Sequence, residues 1–131
     1  MVTRKQISEE ARDTYVITSI QSAGIADRVV GVIPVRSKLV KVYEVHGTVA
    51  GQAGTLAIER LQSTETSSTG DHVVIGLDLG GAINTVQAGT IVTTSDIHIF
   101  SAGDRVGTHV NSGSAASCAN MVVSLQFRPC D

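Results

Sequence analysis

His72-Val73-Val74-Ile75-Gly76-Leu77-Asp78-Leu79 is the stretch that decides the fold. Read with a period of two, it sets Val73, Ile75, Leu77 and Leu79 on one face and His72, Val74, Gly76 and Asp78 on the other. That is the pattern of a strand with one buried side. Turn chemistry bounds it at both ends. Gln62–Asp71 (QSTETSSTGD) is a polar, low-complexity connection with no capacity to form core, and Gly80-Gly81 follows.

The same text recurs outward in both directions. Strand-like runs are predicted at Thr14–Ile20, Arg28–Val35, Leu39–Thr48, Thr55–Leu61, Thr90–Thr94, Ile97–Phe100, Arg105–Val110 and Met121–Phe127. Leu56 and Ile58 oppose Thr55, Ala57 and Glu59. Leu39, Lys41, Tyr43 and Val45 oppose Val40, Val42, Glu44 and His46, a less decided pattern that predicts partial cover on both faces. Gly47–Gly54 (GTVAGQAG) and Asn111–Ser117 (NSGSAAS) break the runs, and Pro34 and Pro129 fall near strand ends, where a missing N–H is tolerated. No stretch carries the 3.6-residue period and caps of a long helix. Eight or nine short strands at spacings of about 8–12 residues predict an all-β antiparallel sandwich, jelly roll or small barrel.

Composition agrees. The chain has 131 residues, one domain's worth, and is 42% apolar, yet holds only two Tyr and two Phe. Its core must therefore be built from Val, Ile, Leu and Ala, and the β-branched residues favour a pleated surface. The expected organisation is a flexible, polar N-terminal arm over residues 1–13 (MVTRKQISEEARD) and a single β-sandwich domain over 14–131. The arm's acidic residues, Glu9, Glu10 and Asp13, are unlike a secretory signal, and no apolar run is long enough to span a bilayer. Net charge is −2 and aromatic stacking platforms are few, so neither a nucleic-acid nor a membrane partner is expected. Cys118 and Cys130 are expected as free, partly buried thiols, with a bridge between them the alternative.

Searches for chemistry return little. His46, His72, His98 and His109 form no HxH, HExxH or Cys/His spacing, so each is expected as a surface or half-buried side chain and no metal site or other cofactor is predicted. There is no GxSxG elbow, and Cys118 has no basic neighbour to activate it. Gly47–Gly54 lacks the Lys-Ser/Thr ending of a phosphate loop, and Leu79-Gly80-Gly81 fails the dinucleotide spacing. Asp104, after Gly103, has the look of a turn. No catalytic residue is proposed, and the chain is expected not to be an enzyme.

Four stretches, taken in order, resemble the head-fibre and capsid decoration (cement) proteins of tailed bacteriophages. They are Ala26–Val42 around Pro34-Val35-Arg36-Ser37-Lys38, Val45–Gly51, Ala82–Thr90 and Phe100–Val106 with its Ala-Gly-Asp-Arg turn. The likeness covers roughly residues 26–127. It implies a jelly-roll-like sandwich, trimeric, on the exterior of a virion made in a host cytoplasm, where it binds the major capsid protein and braces the shell. The group has no catalytic residues to transfer. Cys118, Cys130 and the Asn111–Ser117 loop depart from it, which leaves the partner of the last strand open. The arm becomes a candidate capsid anchor through Arg4, Lys5, Ile7 and Arg12. The alternative is a fibre-tip or adhesion module that binds a host glycan or protein through loops 62–71 and 111–117. A small barrel enzyme of cupin type ranks behind both for want of paired histidines.

Overall fold

The computed structural model describes residues 13–23, 27–48, 54–111 and 119–131. Ten strands follow one another: β1 (Tyr15–Ala23), β2 (Arg28–Val32), β3 (Ser37–Val45), β4 (Thr55–Leu61), β5 (Asp71–Asp78), β6 (Gln87–Ala88), β7 (Thr90–Ile91), β8 (Ile99–Phe100), β9 (Arg105–Asn111) and β10 (Ala119–Pro129). The only helical piece among the described residues is a 3-10 turn over Thr94–Asp96.

All strand pairs are antiparallel, and they nest. β1 pairs β10 in one sheet and β2 pairs β9 in the other; β3 then pairs β6 and β8 in the first, and β4 pairs β5 in the second. The chain is thus one long hairpin rolled up so that successive pairs alternate between sheets. The orders β1-β10-β3-β6 and β2-β9-β4-β5-β7 are those of a jelly roll. The all-β sandwich read from the sequence is therefore the fold, with the runs Thr90–Thr94 and Ile97–Phe100 shortened to two residues each and the two-residue β6 added.

Between the sheets lies an aliphatic core. Along β10, Met121, Val123, Leu125 and Phe127 point inward in strict alternation and meet Leu56 and Ile58 of β4 and Val73, Val74 and Leu77 of β5 in one cluster. Three of the four aromatics gather at one end. Phe127 stacks on Tyr15 at 5.5 Å and takes the edge of Phe100 at 5.3 Å. The Tyr15 hydroxyl donates to Ser37 Oγ at 2.7 Å, which donates in turn to the Val35 carbonyl. The Ala-Gly-Asp-Arg turn has its expected geometry: Ser101 N–H donates to the Asp104 carboxylate at 2.8 Å, and Asp104 N–H returns to the Ser101 carbonyl.

The deciding stretch is a strand, but its alternation breaks. Leu56 faces Leu77 and Ile58 faces Val74, so Ala57 alone opposes both Ile75 and Gly76. Gly76 absorbs this bulge at φ +88°, a conformation that side chains resist. A second bulge leaves Val73 unpaired between Val74 and His72. Val73 and Val74 consequently both enter the core, while Ile75, expected inside, is 53% exposed. In β3 an extra residue, Val40, likewise lets both Leu39 and Val42 face inward.

The polar connection after β4 also differs from expectation. Ser68 N–H donates to the buried Glu59 carboxylate at 2.7 Å, and the Arg105 guanidinium donates to the carbonyls of Ser63 and Glu65 at 3.0 and 2.6 Å. Those bonds lay residues 62–70 across the outer face of the second sheet. There they cover Leu61 and Glu59, both 0% exposed. The loop supplies no apolar side chain, but its backbone closes a second small interior.

Candidate interaction surface

The proposed anchor residues Arg4, Lys5, Ile7 and Arg12 lie outside the described residues, as do Cys118 and residues 112–117 of the Asn111–Ser117 loop. Cys130 is a half-buried free thiol. The four histidines are placed on three separate features, and only His72 and His109 come near one another.

His46 is the one sequence reasoning misplaced most. The sequence predicts a surface or half-buried side chain, yet it is 1% exposed. Val42, Glu44 and His46 continue the inward phase of β3 past the end of the aliphatic core, so a carboxylate and an imidazole occupy core positions. His46 Nδ1 donates to Glu44 at 2.8 Å, and His46 Nε2 donates to the Gly81 carbonyl at 3.0 Å. Both ring nitrogens thus face acceptors, which favours the imidazolium. Burial opposes that charge. The Gly81 carbonyl, the Glu44 carboxylate and the nearby Asp78 together outweigh it and raise the His46 pKa. Gln87 completes the network: its amide donates to Glu44 Oε1 at 2.6 Å and to the Asp78 carbonyl at 2.8 Å, and accepts from Asp78 N–H at 3.0 Å. Asn84 N–H donates to the His46 carbonyl. These hydrogen bonds hold residues 78–87 against the end of β3, so the arrangement acts as a clamp.

On the outer face of the second sheet His72 and His109 lie with ring centroids 5.7 Å apart, each backed by a carboxylate. His109 Nδ1 is 2.9 Å from Asp27 and His72 Nε2 is 3.4 Å from Glu59. Among the described residues no three His, Cys, Asp or Glu side chains stand where they would hold a metal. His98 is half-buried in the turn before β8, and its backbone carbonyl accepts from Leu39 N–H.

The outer face of the first sheet is different in kind. Register lines its side chains up in rows across β1, β10 and β3. One row is Ile20, Val122 and Val45; the next is Thr18, Ser124 and Tyr43. A third is Val16, Gln126 and Lys41, and beyond the β3 bulge Arg128 stands directly opposite Lys38. Ile20 is 68% exposed, Val16 57% and Tyr43 43%. No described segment covers this face. Its edge strand β1 (YVITSIQSA) has no charged residue and no proline, the usual devices that discourage a further strand from pairing.

Fold and surface together define the class: a jelly-roll sandwich whose described titratable groups are largely held in structural networks, with one sheet face that no described segment covers. No protein-family model and no curated protein matches the chain. Among solved structures, a chain from the capsid of Ralstonia phage GP4 is similar at 17% identity and a TM-score of 0.57, over 90% of this chain and 84% of that one. A chain of the cyanophage Pam1 capsid asymmetric unit aligns at 10% identity and a TM-score of 0.48, over 89% of this chain and 84% of that one. At these identities the likeness is one of fold.

Proposed function

We propose that this chain is a structural protein of a bacteriophage virion, which decorates the outside of the capsid and stabilises it by binding the major capsid protein. The observation that carries this reading is a jelly roll shared over nine-tenths of its length with a chain of a phage capsid. A bare sheet face on a molecule whose polar interior serves only its own loops fits a protein that works by contact. Copies associate as a trimer, burying exposed aliphatics such as Val29, Val32 and Val35 along β2 and the turn after it. The arm over residues 1–13, with Arg4, Lys5, Ile7 and Arg12, adds a second hold on the shell by lying along a capsid subunit.

The adhesion reading relies on loops 62–71 and 111–117 for recognition. The first of these is packed down on its own sheet by Arg105 and Glu59, which favours the decoration reading. Quantitative mass spectrometry of purified particles tests the proposal. A copy number comparable to that of the shell protein is expected, and a handful of copies per particle would refute it. Light scattering on the purified protein tests the trimer.

A further inference from the structure

We propose that the outer face of the β1-β10-β3 sheet docks an acidic, carboxylate-bearing surface of the capsid shell; this rests on the virion role above. The face runs about 20 Å along the strands. At one end is the aliphatic row through Ile20 and Val122. At the other stand Lys38, Lys41 and Arg128, with Arg36 in the adjoining turn. Among the described residues none of these four cations has an ion pair or a side-chain hydrogen bond, and β1, β10 and β3 themselves set no carboxylate on this face, the exposed Asp13 and Asp131 lying just beyond the strand ends.

Lys38 and Arg128 are in direct cross-strand register. Like charges so placed repel and cost stability, so the pattern calls for anions supplied from outside. Three observations choose the source. Two copies pairing through this same face would set its cations either on cations or, end for end, on the aliphatic row, and in neither case would they meet an anion, which argues against a second copy meeting it symmetrically. Among the described residues most carboxylates are already engaged: Asp71 by Arg60, Asp27 by His109 and Glu44 by His46, while Asp104 holds its own turn. Nucleic acid would meet one aromatic, Tyr43, and an aliphatic half with nothing to offer a phosphate. A protein surface with an apolar centre and a carboxylate rim matches both halves of the face.

The test uses shells of the phage that encodes this chain, purified without the protein, and co-sedimentation with the full chain. Wild type should bind, with affinity falling as salt rises from about 50 to about 500 mM, where exposed charges are screened. The Lys38→Glu/Lys41→Glu/Arg128→Glu variant should bind at least about 100-fold more weakly and lose most of that salt dependence. Thr64→Glu, exposed in the loop over the other sheet, should bind as wild type. Urea unfolding confirms that each variant is folded, and the neutral Lys38→Gln/Lys41→Gln/Arg128→Gln variant, with intermediate affinity expected, serves if the reversal is not. Unchanged shell binding by the folded reversal or neutral variant would overturn this inference and leave the virion role standing. Wild type that fails to bind shells would overturn both. A reversal variant that changes its mass in light scattering and not its shell binding would make the face a contact between copies and also overturn the inference.

Discussion

Replacing Glu44 with leucine isolates the buried clamp at the end of the sandwich. Glu44 and His46 side chains are 0% and 1% exposed, so neither can fall back on water. Glu44→Leu removes the acceptor of His46 Nδ1–H and one acceptor of the Gln87 amide, two hydrogen bonds to a charged group. At about 1.5–3 kcal/mol each, their loss costs roughly 3–6 kcal/mol. Breaking one side of a buried ion pair gives about 3–5 kcal/mol independently. A domain of this kind has on the order of 5–15 kcal/mol in total, so roughly a fifth or more is at stake. With an m-value of about 2 kcal/mol/M in urea, a loss of ~4 kcal/mol lowers the unfolding midpoint by about 2 M. His46→Leu should cost a similar amount, because it strands the carboxylate. Glu44→Leu/His46→Leu should be less destabilised than the sum of the two by at least about 2 kcal/mol, since each single change exposes a partner that the other removes. Single losses below about 1 kcal/mol, or strict additivity in the double variant, would refute the clamp.

Three further outcomes follow from the geometry. Because the folded-state pKa of His46 is raised, its contribution is fully present below the unfolded value of about 6.5 and lost as pH rises through the folded value. The urea midpoint should therefore fall over that window in wild type, and a flat response relative to Glu44→Leu/His46→Leu would count against it. A Cβ at Gly89 would collide with Val74 Cγ1 and lie 3.3 Å from Leu77 Cδ2, so Gly89→Ala should cost about 1–3 kcal/mol by chemical unfolding, and a neutral result would mean that β6 and β7 do not press on β5. Arg105→Ala frees the carbonyls of Ser63 and Glu65, so cleavage after Glu65 by a glutamate-specific protease should accelerate, with a loss of only about 1–2 kcal/mol in global stability; equal cleavage rates would show that the loop is held by something else.

Which parts of this molecule the sequence discloses depends on the range over which each is encoded. Strand identity is local. The run Thr55–Leu61 is β4 residue for residue, and the inward phase of β10 is written in Met121, Val123, Leu125 and Phe127. The clamp was half legible, because Glu44 and His46 stand on the same phase of β3 as Val42. What hid it was the distance to its partners: Gly81 is 35 residues from His46, and Gln87 is 43 from Glu44. Ile75 was lost for a local reason, since a glycine inside an alternating strand marks a bulge, and Gly76 is one. The docking face was invisible. Lys38 and Arg128 become neighbours only through the β3–β10 register, and no periodicity in either strand alone sets one cation opposite another.

The two outer faces explain why one chain folds stably and still keeps a surface to offer. On the second sheet the chain covers itself. Residues 62–70 seal Leu61 and Glu59, and the His72 and His109 rings each lie beside a carboxylate of the same chain. On the first sheet nothing described plays that part, and both its aliphatic row and its cations are left over. A hydrophobic row alone would invite any apolar surface, and a cationic cluster alone any polyanion. With Lys41 about 13 Å and Lys38 and Arg128 about 20 Å from the Ile20–Val122 row on one sheet, they require a partner that presents carboxylates and an apolar patch at matching spacings. Selectivity on that view comes from the β3–β10 register, so one serine inserted between Lys38 and Leu39 would move Lys38 from opposite Arg128 to opposite Pro129 and should weaken shell binding without changing net charge.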